Sequence, residues 1–309
     1  MPEDISDTDS GIDYELASLS EFALLGENAK QAGIDGALPP VERIESAAGD
    51  SLISAVRWGD DPAAVVFLHG GGQNAHTWDT VILGLGEPAL AVDLPGHGRS
   101  AWRDDGDYGP RQDAATLAPV LRELAPAARL VVGMSLGGLT AIVLAATAPD
   151  LVRRLVVVDV TPSTLQRHSE MSAAQRGTTA LPMGTRVFPT FAAMLDLTVA
   201  AAPHRDRESL RRGVFHNSRR LSDGTWTWRY DLFSGIGEFG DLWSDVSAVS
   251  APTTLVRGGS SVFVTDEDAA EFTRRVPGLH VEVVPGSGHS VQSDQPRALV
   301  DLLRGVLDR

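Results

Sequence analysis

Between Ala64 and Val284 the chain repeatedly presents short runs in which nearly every position is apolar. Ala64–Leu68, Ala89–Val92, Leu130–Val132, Leu155–Val158, Thr254–Val256 and Val281–Val284 are such runs. An unbroken apolar run of this length predicts a strand covered on both faces, as in a parallel sheet. Leu52–Trp58 precedes them and reads as a further strand. Gln112–Leu124 and Leu136–Ala148, the latter closed by Pro149, predict helices, and a helical segment follows each of the last two strands. Alternation of strand and helix predicts an α/β fold. Tyr14 to about Ala32 carries Leu16, Leu19, Ala23 and Leu24 at helical spacing, which predicts an added amphipathic helix, whereas residues 1–12 are too polar to pack and are expected to be disordered. From about Pro162 to Val246 the rhythm stops. That stretch is rich in arginine, histidine and aromatics, and an insertion of its length between two strands of one sheet is expected to form a helical cap over a ligand site. The expected organisation is thus an extension over 1–40, a core over 41–161 and 247–309, and a cap over 162–246, with no internal repeat.

Composition narrows the function classes. The 309 residues carry 26 basic and 41 acidic side chains, a formal charge of −15. A nucleic-acid partner is therefore not expected, since such a partner needs a basic face to displace counterions. The absence of cysteine removes disulfides, thiolate catalysis and cysteine-ligated metals. No apolar stretch approaches the roughly 18–20 residues that span a bilayer, and the start, MPEDISDTDSG, lacks the features of a secretory signal, so no membrane association and a cytoplasmic location are expected.

The chemistry gathers at Gly133-Met-Ser135-Leu-Gly137, between a strand and a helix. A serine there sits on a strained strand-to-helix turn with its hydroxyl projecting, and glycines on either side keep the backbone clear. The helix N-terminus behind it favours developing negative charge. An ordinary polar turn residue is the rival reading. Ser135 needs a base, and His289, in Pro285-Gly-Ser-Gly-His289 after the last strand, is the best placed. His69 closes an apolar strand and suits a structural role, and His97 belongs to the turn Asp93–Ser100. The order Ser, Asp or Glu, His requires a carboxylate between them. Serines stand where it is commonest, at Ser260 and Ser261, while Asp266 and Asp268 look like helix-start residues. Asp159 ends the strand beside the serine's strand, 24 residues on, and is preferred over its alternative as a cap of the following Thr-Pro segment. The N–H groups of Leu136 and Gly71 are the expected oxyanion donors.

Together these residues resemble the α/β-hydrolase superfamily, over about residues 41–309. The resemblance implies an eight-stranded, mostly parallel sheet with helices on both faces and a helical cap insertion. Val158-Asp159-Val-Thr-Pro162 and Arg257-Gly-Gly-Ser-Ser261 resemble a group of small bacterial esterases and their mitochondrial relatives. That likeness implies Asp159 as the triad acid and Ser261 as an additional hydrogen-bonding partner. Met134 occupies a position often held by histidine, and Gln73-Asn-Ala-His-Thr-Trp78 departs from the group's usual sequence, which leaves the substrate open. The implied reaction is hydrolysis of a carboxylic ester, thioester or lactone of a small to medium molecule through an acyl-enzyme, by a monomer or homodimer, with no metal and no organic cofactor. Trp78, Trp226 and Trp228 are candidates for lining the substrate site, with plain packing as their alternative. The exposed pair Arg219-Arg220 is read as solvated surface or as a partner for an anionic product. Two other functions stay open. A carbon–carbon bond hydrolase would usually carry a carboxylate at Ser261 and a tryptophan after His289, where Ser290 stands. A non-catalytic ligand receptor on this fold would show ligand-induced change without turnover. Dehalogenases and epoxide hydrolases resemble the fold but use aspartate as nucleophile, and a perhydrolase side reaction would need only the same triad.

Overall fold

The structure, a computed structural model, describes residues 16, 18–49, 51–168, 170–176, 178–179, 181, 184–231 and 240–309. The polar segment 1–12 and Phe233 lie outside them. Eight strands form the main sheet: β1 (Val41–Ala48), β2 (Ser51–Trp58), β3 (Val65–Leu68), β4 (Ala89–Val92), β5 (Leu130–Met134), β6 (Leu155–Val158), and, after the insertion, β10 (Thr253–Gly258) and β11 (His280–Val284). Their order is β1-β2-β4-β3-β5-β6-β10-β11. The β1–β2 and β2–β4 pairs are antiparallel and the rest are parallel. The sheet is mostly parallel, as the apolar runs predict.

Why those runs are apolar throughout is visible in β3. Val66 and Leu68 pack into one core layer, with the helices Pro110–Leu124 and Leu136–Thr147, while Val65 and Phe67 pack into the opposite layer, with Asp79–Leu85 and Pro296–Leu307. Alternate side chains face opposite ways, so both faces must be greasy. Among the described residues no helix is long and apolar enough to cross a membrane.

Three parts of the fold differ from the sequence reading. β1, with polar residues at Glu42, Arg43, Glu45 and Ser46, is an edge strand that leaves most of its length half-exposed, so no apolar run announces it. The expected amphipathic helix is interrupted: Leu16 and Ser18 are helical, and a separate helix runs from Leu25 to Ala32. Residues 21–24 are turn, and there Glu21 ion-pairs with Arg43 at 2.6 Å and Arg99 at 3.1 Å. The insertion holds the helices Pro162–His168, Phe191–Ala201 and Arg207–Asn217, and in addition a small antiparallel sheet of β7 (Val187–Phe188), β8 (Ser218–Arg220) and β9 (Trp226–Trp228) in the order β7-β9-β8. The β8–β9 hairpin turns at Asp223-Gly224, with Gly224 at φ +89° and Leu221 N–H donating to Thr225 O at 2.7 Å.

Trp226 and Trp228, proposed from sequence as substrate contacts, pack in the core of this insertion, and Trp228 also lines a cavity beside Gly71 and Gly72. Trp226 meets Phe191 edge-on at 5.4 Å, and Trp228 lies between Phe188 and Tyr230 at 5.6 Å from each. Alternate residues of a strand share a face, and here that face is the one turned to the insertion's own helices.

Candidate active site

At the end of β5 the backbone turns sharply. Ser135 has φ 51° and ψ −120°, a conformation that costs a β-carbon-bearing residue about 1–3 kcal/mol, and the surrounding contacts hold it there. Its N–H donates to Val158 O at 3.2 Å, and the N–H of Gly137 donates to His69 O at 3.0 Å. A methyl group on Gly133 would stand 2.3 Å from the carbonyl oxygen of Gly137, and one on Gly137 would stand 2.4 Å from that of Leu68. Both glycines are thus required by close backbone approach, which is the steric reason for the small residues around the serine.

β6 ends in the second strained residue, Asp159, at φ 52°, whose N–H donates to Val256 O at 2.7 Å. The carboxylate is fully buried and saturated. Oδ1 accepts from Gly258 N–H at 2.8 Å, and Oδ2 accepts from the Ser261 hydroxyl and from His289 Nδ1, the latter at 2.9 Å. The Ser261 hydroxyl in turn accepts from Phe263 N–H at 3.2 Å. A carboxylate on Nδ1 places the ring proton there and leaves Nε2 as the basic nitrogen. Nε2 is buried and has no partner among the described residues. The imidazole plane is set a second time by Phe263, stacked on it with centroids 3.5 Å apart and planes 13° from parallel. The two loops that meet here also need glycine, since a methyl group on Gly258 would reach within 2.2 Å of Gly288 O.

The structure brings Ser135, Asp159, Ser261 and His289 to one edge of the sheet, beyond the C-terminal ends of the adjacent strands β5, β6, β10 and β11. No hydrogen bond joins Ser135 Oγ to His289 Nε2. Catalytic hydrogen bonds of free enzymes are often long and tighten when substrate binds. The other carboxylates are elsewhere: Asp266 pairs with Arg257 at 2.7 Å and is exposed, and Asp268 forms a capping box with Thr265 and pairs with Arg167.

The glycine run after β3 packs over this edge. Gly70 lies so near β5 that a methyl group on it would meet Met134 Sδ at 2.6 Å, which makes Met134 the floor under the loop rather than an exposed contact. Gly70 N–H donates to Gln73 Oε1 at 3.1 Å and Gly72 N–H to His97 Nε2 at 3.0 Å, while Gly71 N–H has no partner among the described residues. Leu136 opens its helix, so its N–H has no acceptor in a preceding turn. These are the two amides expected from sequence as donors. His69 and His97 are structural. His69 Nε2 accepts from Leu94 N–H at 3.0 Å, and burial lowers His69 to about 4 and, with the neighbouring His69, lowers His97 to about 3. Both serve as neutral acceptors. Trp78 is fully buried against Phe67 at 5.1 Å, in the core below the site.

Four participants were not legible in the sequence: the Phe263 stack, the Gln73 and His97 braces, and Asn217. The Asn217 amide donates to Gly72 O and accepts from Asn74 at 3.2 Å, tying the insertion to the glycine loop. For a metal, the residues on offer among those described are His76, Asp79 and His216, with donor atoms within 4.8 Å of one another. Their electrostatics oppose a cation. Burial disfavours charge on His76, yet Asp79 at 2.9 Å and Glu21 at 3.0 Å hold it up to about 9, and the Arg43 guanidinium lies 3.4 Å away.

Similarity to known proteins agrees with this geometry. A sequence profile described as the alpha/beta hydrolase family matches residues 65–302. The esterase Rv0045c of Mycobacterium tuberculosis is 69% identical over 297 residues, which cover 96% of this chain and 98% of that protein. A solved structure of that M. tuberculosis esterase superposes with a TM-score of 0.86 at 68% identity, over 94% of this chain and 100% of that one. The sn-1-specific diacylglycerol lipase ABHD11 of Mus musculus is 29% identical over 252 residues, 79% of this chain and 80% of its own. Because the profile match begins at β3 and takes in every strand on which the serine, the carboxylate and the histidine stand, this chain belongs to the alpha/beta hydrolase family.

Proposed function

We propose that the chain is a serine esterase that cleaves carboxylic esters of small to medium molecules through an acyl-enzyme. The observation that carries this reading is the Asp159–His289 pair: one imidazole nitrogen bonded to a buried carboxylate, the other left free at the sheet edge where Ser135 is held at positive φ. In the proposed reaction His289 Nε2 takes the Ser135 proton as the hydroxyl attacks the ester carbonyl. The oxyanion settles on the N–H groups of Gly71 and Leu136, fixed donors that need no rearrangement. His289 returns its proton to the leaving alcohol, and a water activated by the same nitrogen releases the acid. Asp159, braced by Gly258 and Ser261, keeps the imidazole in the right tautomer and stabilises its charged form. The close likeness to an esterase of M. tuberculosis supports ester hydrolysis over carbon–carbon cleavage.

Residues 162–246 act in this reading as a cap. Its support is that Leu197 and Ala200 of the insertion line one open cavity together with Phe263 and His289, and that Arg205 of the insertion reaches Asp294 beside the histidine loop at 2.6 Å. The test is replacement of Ser135 by alanine combined with labelling by an alkyl fluorophosphonate. The Ser135→Ala variant is expected to lose hydrolysis of p-nitrophenyl esters and to escape labelling, with its circular dichroism unchanged. Undiminished turnover in that variant would place the nucleophile elsewhere.

A further inference from the structure

A cavity of about 270 Å³ opens on the seam between the insertion and the core. Ser135, His289 and Gly71 are not among its walls, while Asn74, His76 and His216 border both it and the cavity beside Gly71 and Gly72. The insertion supplies Arg219 and Arg220 from β8 and Arg229 just after β9, and the core side supplies Arg43 and Arg99. His76 adds a sixth cation: burial disfavours its charge, but Asp79 and Glu21 hold it up to about 9.

Three carboxylates answer these six cations among the described residues. Glu21 is shared by Arg43 at 2.6 Å, His76 at 3.0 Å and Arg99 at 3.1 Å. Asp93 pairs with Arg43 at 2.8 Å and Asp79 with His76 at 2.9 Å. Arg219, Arg220 and Arg229 have no carboxylate partner among the described residues. In a chain of formal charge −15 this is a local excess of positive charge. Exposed arginines such as Arg219 and Arg220 are ordinary without a partner, but Arg229 is half-buried. Its Nε–H donates to Ser218 O at 2.7 Å, and its Nη groups are open to water and bonded to nothing among the described residues. Burial and the charges of Arg99, Arg219 and Arg43 pull its pKa below the usual arginine range. A guanidinium taken partly out of water and pressed by like charges is costly until an anion joins it.

Arginine forks grip oxyanions through paired N–H groups, and several forks converging on one space suit a dianion whose oxygens point several ways. We propose that this cavity binds the phosphate group of a small phosphate monoester, held by Arg229 and Arg219 from the insertion and by Arg99 from the core. A cavity that holds benzene measures about 150 Å³, so this one has room for the phosphate and a small organic part, against an apolar wall of Leu19, Phe215 and Trp226. The bound phosphate turns repulsion across the seam into attraction and clamps the insertion to the core. Asn217, next to β8, carries the clamp to the glycine loop through its bond to Gly72 O.

Isothermal titration calorimetry of the full chain with inorganic phosphate, at neutral pH and fixed ionic strength, tests it. One saturable site is expected, with a Kd of about 0.1–1 mM, and acetate should bind at least about tenfold more weakly. Arg229→Gln and Arg219→Gln are each expected to weaken phosphate binding about tenfold or more, since each removes a charge-assisted bond, while Arg122→Gln, an exposed residue paired with Asp150, should not change it. Absence of saturable binding, equal binding of acetate, or affinity unmoved by both cavity substitutions overturns the proposal. If Arg229→Gln does not fold, the exposed Arg219 decides alone. Saturating phosphate should leave the KM for p-nitrophenyl acetate within about twofold, and a KM that climbs in proportion to phosphate overturns a site separate from the reaction centre. Calorimetry needs no turnover, so its outcome stands apart from that of Ser135→Ala.

Discussion

Asp159 binds three partners with two oxygens: Gly258 and Ser261 from the turn that ends β10, and His289 from the loop after β11. Its amide substitute would offer His289 Nδ1 an N–H or a weaker acceptor, and would face Gly258 N–H with one oxygen fewer. Asp159→Asn is therefore expected to lower kcat by about two to four orders of magnitude, while Asp266→Asn, whose carboxylate is exposed and paired only with Arg257, should stay within about twofold of wild type. Steady-state kinetics on one p-nitrophenyl ester checks both, and the opposite pattern would transfer the acid to the helix start. The candidate serine, carboxylate and histidine could be read from the chain because each is tied to a local motif: glycines about a tight turn, or the last residue of an apolar strand. Phe263 could not. Its stacking on His289 depends on where the β10 loop folds back, and nothing in its neighbours encodes that contact.

At the level of elements, glycine has two meanings, and space tells them apart. Gly137 sits in the first turn of Leu136–Thr147 against the carbonyl of Leu68, whereas Gly305, in Pro296–Leu307, has open space where a β-carbon would go. Gly137→Ala is expected to cost about 2–4 kcal/mol or to prevent folding, because backbone must move. Gly305→Ala should stabilise by about 0.5–1 kcal/mol, from helix propensity and a less entropic unfolded chain. Urea midpoints of the two variants measure this, and similar effects would contradict the steric account. Strands buried on both faces were legible for the same reason that they are stable, as the β3 side chains show. β1 was not, because an edge strand needs no apolar run. The hairpin of the insertion carried an Asp-Gly turn signal at Asp223-Gly224, flanked by strands of three residues, too short for periodicity to register.

For the whole molecule, buried histidines set the pH range of stability. His69 and His97 have folded values of about 4 and about 3, below the ordinary 6.5, so the unfolded chain binds their protons first and stability falls as pH drops below 6.5. His76 is the reverse case. Its folded value of about 9 gives stability that is complete below 6.5 and is lost as pH rises through 9. The melting temperature is expected to peak near pH 6.5–7 and to decline on both sides, and a melting temperature constant from pH 4 to 9 would be incompatible with this assignment.

The carboxylate on β6 has an architectural price. Asp159 stands three residues before the helix Pro162–His168 that opens the insertion. The short span between is pinned: Thr161 N–H donates to Thr164 Oγ1 at 3.1 Å, and that hydroxyl donates to Phe263 O at 2.8 Å, the ring of Phe263 being the one that lies on His289. The foot of the insertion and the carboxylate that holds the imidazole are one piece of backbone. Beyond that foot the insertion can be lengthened, shortened or rebuilt, but a remodelling that begins at the foot tilts the His289 ring as well.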